Sequence, residues 1–216
     1  MKKILLASLL GCGMLSASAQ STGEVRFGIT AGMNVANITK LDADSRIGFN
    51  LGGRVEYGLT DYLYLGSGLL LSQKGCEENV GINLNEYGGK FKANPLYLQI
   101  PIHIGYHYYL NDNLSLFGET GPYLAFGIGG KQKMDYEEPE EEPIHIKYDF
   151  FDDKNGANRF DMGWGLRTGI EVNHFQIHLS YEYGFTKVWD SPSVKTNLYD
   201  KSCHNSNFTV GLSYFF

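Results

Sequence analysis

The chain closes on Asn207-Phe-Thr-Val-Gly-Leu-Ser-Tyr-Phe-Phe216, ten residues in which apolar and small polar side chains alternate. Phe208, Val210, Leu212, Tyr214 and Phe216 fall on one side, and Asn207, Thr209, Gly211 and Ser213 on the other. Side chains of a strand point to opposite faces with period two, so the stretch predicts a strand with one apolar and one small polar face. A dyad repeat of about ten residues is also the length that crosses a bilayer when tilted, lipid on the apolar side and a polar lumen on the other.

The same pattern recurs upstream. Val25–Val35 and Ile47–Leu59 alternate in the same way, the second placing Arg54 and Glu56 on its polar side. Tyr62–Gln73 follows with one fault, Leu70. Leu96–Tyr109 alternates throughout despite Pro101, which cannot donate to a ladder and predicts a local bulge or one missing hydrogen bond. Leu114–Ile128, Phe160–Val172 and Phe175–Phe185 complete the set, so that with the closing strand there are eight. Three connections are short (Thr60-Asp61, Leu110–Asn113, Asn173-His174) and alternate with long ones near 38–45, 74–94, 129–158 and 188–205. Within the third long connection, Ile144–Phe150 alternates and predicts a hairpin above the membrane. The pattern predicts an all-β fold, an eight-stranded antiparallel transmembrane up-and-down β-barrel with short periplasmic turns and long extracellular loops. A soluble ligand-binding barrel would turn its apolar faces inward. Here the face that carries Arg54, Glu119, Arg167 and Glu182 is otherwise mostly Gly, Ser, Thr and Asn, a poor hydrophobic core.

Composition agrees. No stretch of eighteen consecutive apolar residues is present, which argues against a membrane-spanning helix but not against a barrel. The chain has 27 Gly, 15 Tyr and 13 Phe, with 19% charged residues and a net charge of -6 that argues against nucleic acid as a partner. Lys2 and Lys3, the apolar run 4–10 and Ala17-Ser18-Ala19 read as an export signal over residues 1–19, leaving 20–216 as the barrel domain. A lipobox ending at Cys12 is the weaker alternative, because its apolar run would be short. Trp164 and Trp189, with the many tyrosines, read as interface-belt residues.

Residues 94–108, NPLYLQIPIHIGYHY, resemble the Tyr-Leu-x-Ile-Pro segment of PorT-like outer-membrane β-barrel proteins. The signal ending Ala19-Gln20, the eight alternating strands and the closing Tyr214-Phe215-Phe216 are similar to that family as well. The resemblance implies a small outer-membrane barrel in contact with lipid and lipopolysaccharide, with an envelope protein partner if the role is PorT-like secretion. Phe208, Val210, Leu212, Tyr214 and Phe216 also resemble the terminal signal by which the outer-membrane assembly machinery recognises its substrates.

Counting from the short turns places Arg54, Glu119 and Arg167 near one level of the lumen, with Arg26, Glu56, Glu171 and Glu182 on the same inner face. An unpaired charge in so narrow a lumen is costly, so a structural ion-pair network is expected in preference to a pore. His178, Ser180 and Glu182 share one face, two residues or about 6.6 to 6.8 Å apart along the strand, and resemble the His-x-Ser of lipid A deacylases. That enzyme reading is the minor one, since the site would face the lumen and not lipid; no catalytic residue or cofactor is assigned. His103 and His107 lie about 13 Å apart on a strand and cannot share a metal, so no metal site is expected. The acidic run 137–143 lacks the spacing of a calcium loop and reads as a solvated segment. Cys76 and Cys203 fall in long connections on one rim of an exported protein, where a disulfide is an open possibility against two separate thiols.

Overall fold

The computed structural model describes residues 22–39, 44–82, 87–137, 144–152, 157–189 and 203–216. Within them lie ten strands: β1 (Val25–Ile38), β2 (Asp44–Gly58), β3 (Leu63–Gln73), β4 (Cys76–Ile82), β5 (Tyr87–Asn111), β6 (Leu114–Glu137), β7 (Ile144–Asp149), β8 (Phe160–Val172), β9 (Phe175–Gly184) and β10 (Asn205–Phe215). Eight of them close a ring. β1 pairs with β2, β2 with β3, β3 with β5, β5 with β6, β6 with β8, β8 with β9, β9 with β10, and β10 returns to β1, each pair antiparallel. Closure leaves the ring without an edge, which is what a sheet needs in lipid, where backbone groups have no water to bond.

The alternation sorts the faces. Phe27, Ile29, Leu51, Leu65, Ile104, Leu166, Ile177 and Leu212 are exposed on the outside, while Glu56, Gln99, Glu119 and Thr209 are buried inside. Of the closing-strand residues, Phe208, Val210, Leu212 and Phe216 lie exposed on that outer face. Three outward serine and threonine hydroxyls are spent on carbonyls: Ser67 Oγ donates to Pro101 O, Thr120 Oγ1 to Gly165 O and Thr168 Oγ1 to Phe117 O, each at 2.8 Å. The thirteen residues of β8 span roughly 30 Å along the barrel axis at the usual rise and tilt, enough for the apolar band.

The structure departs from the sequence pattern above the outer rim. Residues 74–94 and 129–158 are not plain loops, because β5 starts at Tyr87, β6 runs to Glu137, and β4 and β7 flank them as a four-stranded arm. Ile144–Asp149 is the predicted hairpin strand, paired with β6. Gly75 and Gly130, both at φ +142, let the chain bend into the arm. Pro101 causes no register shift; the ladder to β3 merely lapses between the pairs Ser67–Ile102 and Leu70–Gln99. Register shifts lie instead between Leu96 and Tyr97, where Ile128 is the extra residue of a bulge in β6, and between Tyr109 and Asn111 beside the short turn. Leu70, the fault in the third strand's pattern, is buried in the lumen. The inner face is also more aromatic than its sequence suggests, with Tyr64, Tyr97, Phe117, Tyr123 and Phe215 buried.

Candidate functional site

Every predicted lumen charge finds an opposite charge: Arg54, Glu119 and Arg167 meet in a middle tier, with one tier below them and one above. Nearest the short turns, Arg26 makes a bidentate pair with Glu171, Nη1 to Oε1 at 2.8 Å and Nη2 to Oε2 at 2.9 Å, and lies 3.2 Å from Glu56 Oε2. Gln176 Nε2 donates to Glu171 Oε2 at 2.7 Å. The Arg26 guanidinium stacks 4.7 Å from the ring centre of Phe215.

Glu119 is the hub of the middle tier. Arg54 Nη2 donates to both of its oxygens at 2.7 and 3.0 Å, Arg167 Nη1 to Oε1 at 3.3 Å, and Tyr64 OH to Oε2 at 3.0 Å. His103 Nδ1 lies 3.2 Å from Oε1. Arg167 reaches onward, its Nη2 donating to Gln176 Oε1 at 2.8 Å, Ser213 Oγ at 3.1 Å and His178 Nδ1 at 3.2 Å. The hub thus ties β2, β3, β5, β6 and β8 across the barrel.

In the upper tier Lys74 Nζ lies 3.4 Å from Glu182 Oε2 and 3.7 Å from Asp161 Oδ2, over the ring of Tyr123 at 4.4 Å. Gln99 Nε2 donates to Glu182 Oε1 at 2.6 Å, and Asp161 accepts from Tyr123, Asn205 and Thr186. Lys74, Asp161, Gln99 and Gln176 escaped the list of candidates drawn from the sequence. Their inward parity was there to read: Lys74 continues the even-numbered inner series of the third strand by one step. Among the described residues, Arg26, Arg54, Lys74 and Arg167 face Glu56, Glu119, Asp161, Glu171 and Glu182 in the lumen.

An apolar cluster closes the lumen above. Ile38, Phe91, Tyr97, Phe150, Phe151 and Val188 pack together there, and Cys76 and Cys203 are buried in the same cluster. Trp189 packs 5.8 Å from Phe150 in this cap and is not an interface-belt residue, because its short strand bridge to Ala157 holds it over the lumen. Trp164 does face outward, its Nε1 donating to Thr120 Oγ1 at 2.8 Å.

His178, Ser180 and Glu182 line one small cavity of about 20 Å³, with Arg54, His103 and Arg167, room for about one water. The hydrogen bonds of His178 and Glu182 run in opposite directions, to Arg167 below and Gln99 above. A lipid substrate would meet the outer face, where none of the three lies. Among the described residues no group of three or more His, Cys, Asp or Glu could hold a metal ion. The acidic residues 138–143, the signal segment 1–19 and Cys12 lie outside the described residues.

A closed ring of eight tilted strands, apolar outside and filled with paired charges inside, defines a small transmembrane β-barrel of the outer membrane. The chain belongs to the outer membrane protein beta-barrel domain family, whose model matches residues 18–190. No curated protein matches it. Similar solved structures include Ail, the attachment invasion locus protein of Yersinia pestis, at 18% identity over 90% of this chain and 99% of that one, with a TM-score of 0.37. Neisserial surface protein A is similar at 11% identity, covering 89% and 97% of the two chains, with a TM-score of 0.43. OprG from Pseudomonas aeruginosa matches at 15% identity over 92% and 98%, with a TM-score of 0.41.

Proposed function

We propose that the protein is a non-enzymatic barrel of the cell surface. Its charged lumen is a structural brace, and its arm and long loops make the contacts outside, in adhesion, partner binding or envelope integrity. One observation carries this reading: the lumen charges are spent on one another beneath an apolar cap, while β4 to β7 carry ordered sheet beyond the membrane. Buried ionisable groups that are paired in this way brace a barrel and leave no open path. Residues 1–19 act as the export signal, and the closing strand as the signal for the assembly machinery. The lipid-modifying alternative gives Ser180 a catalytic role, and Ser180→Ala would then alter the lipid A profile of the cells; the structural reading expects no change.

The second reading is a PorT-like part in protein secretion, favoured by Tyr97-Leu98-Gln99-Ile100-Pro101. Crosslinking in intact cells, followed by purification of the tagged barrel, separates the two. Secretion components recovered in fixed proportion support the PorT-like role. Recovery of lipopolysaccharide and surface ligands alone supports the surface role.

A further inference from the structure

Three lysines stand in one cross-strand row on the arm. Lys92 of β5 is directly opposite Lys133 of β6, and Lys133 is directly opposite Lys147 of β7. Directly opposed residues of an antiparallel pair share a face, and like charges so placed repel. The row therefore sets three like charges side by side. Glu77 ends the row opposite Lys92, and its carboxylate is 3.0 Å from Arg46. Asp149 stands opposite Lys131 one step nearer the membrane, and Asp135 opposite Lys90 one step further out.

The row faces away from the barrel axis. On β5 the odd-numbered neighbours Phe91 and Ala93 are buried in the cap, which turns Lys92 to the outer side. On β6 the bulge at Ile128 shifts the parity, so that Lys131 and Lys133 continue the outward series of Leu124, Phe126 and Ile128. Lys131 and Lys133 follow the last exposed apolar residue of that series by roughly 8 and 13 Å at the usual strand rise and tilt. An apolar band that ends at Ile128 leaves them just beyond its outer edge, on the headgroup side. The bulge is what brings lysine to the outer side here; without it the same residues would face the cap.

We propose that Lys92, Lys133 and Lys147, with Lys131 below them, bind the phosphate groups carried on the sugars of the outer-leaflet glycolipid that surrounds the barrel. Adjacent strands lie about 4.8 Å apart, so the row offers three ammonium groups over roughly 10 Å, a span suited to more than one phosphate on a sugar headgroup. The inference rests on the register and the membrane position, not on the role outside the cell.

The test is native mass spectrometry of the detergent-solubilised full barrel titrated with diphosphorylated lipid A, its dephosphorylated form and inorganic phosphate. The triple variant Lys92→Gln, Lys133→Gln, Lys147→Gln should weaken binding of diphosphorylated lipid A about tenfold, as three exposed charge pairs of ordinary strength give. Lys187→Gln, at an exposed site elsewhere, should bind as the wild type. Dephosphorylated lipid should bind the wild type no better than the triple variant binds the phosphorylated form. Equal binding by wild type and triple variant overturns the proposal. Full competition by inorganic phosphate overturns the lipid source and leaves only a site for free anions. Retained heat-modifiable gel mobility in the triple variant shows that any loss is not misfolding.

Discussion

Replacing Glu119 with glutamine removes one negative charge and almost no volume. In the native barrel that carboxylate accepts from Arg54, Arg167 and Tyr64. The amide keeps one acceptor oxygen and turns an NH2 group toward guanidinium donors, leaving two buried cations without their shared anion. Breaking a buried pair from one side costs about 3–5 kcal/mol, because the remaining charge stays desolvated. With a urea dependence of about 2 kcal/mol per molar, the unfolding midpoint should fall by roughly 2 M. The assay is urea unfolding of the barrel refolded in micelles, followed by the fluorescence of outward-facing Trp164. Adding Arg167→Met to Glu119→Gln should recover about 1 kcal/mol or more, since residues in one network couple by that amount. A Glu119→Gln midpoint within about 0.3 M of wild type, on that same urea dependence, would refute the idea that the lumen network braces the barrel.

Packing gives a second expectation. A Cβ at Gly105 would run into the Tyr64 ring, so Gly105→Ala must displace the side chain whose hydroxyl donates to Glu119. Overpacking of this kind costs about 1–3 kcal/mol, whereas Gly118→Ala, which meets nothing within 4 Å, should leave the midpoint unchanged. In planar bilayers the purified barrel should show no steady porin-sized conductance, since the tiers and cap fill the lumen; a large stable channel would contradict that filling. Cys76 and Cys203 are buried in one cluster, and a bulky maleimide should label neither in the folded barrel. Labelling of either before unfolding would contradict that burial.

Much of this was legible because lipid and lumen impose period two on every strand. Phe160–Val172 shows its bounds in the pattern alone, as does the turn at Asn173-His174, whereas the turn expected over Leu110–Asn113 is only Asp112-Asn113, because β5 runs on to Asn111. Of the arm, only the Ile144–Phe150 strand was legible; the rest was hidden because strand beyond the membrane has no lipid face to force alternation, and the bulge at Ile128 breaks the parity of β6 midway. The three-tier arrangement was hidden for another reason. Counting residues from turns gives height along the barrel, but not which of several charges a long arginine side chain reaches across the lumen. Arg26 to Glu171 joins the first strand to the eighth, a contact that follows only from closure of the ring.

The most direct measurement is a photo-crosslinker placed singly at Tyr148 on the arm, at Asp112 in a short turn and at Ser180 in the lumen, activated in intact cells. Protein or glycan adducts are expected from Tyr148 at the surface, none from Ser180, and only passing periplasmic contacts from Asp112. A single stable envelope protein captured from Asp112, with nothing captured from Tyr148, would contradict that expectation and place the working face of the barrel on the periplasmic side.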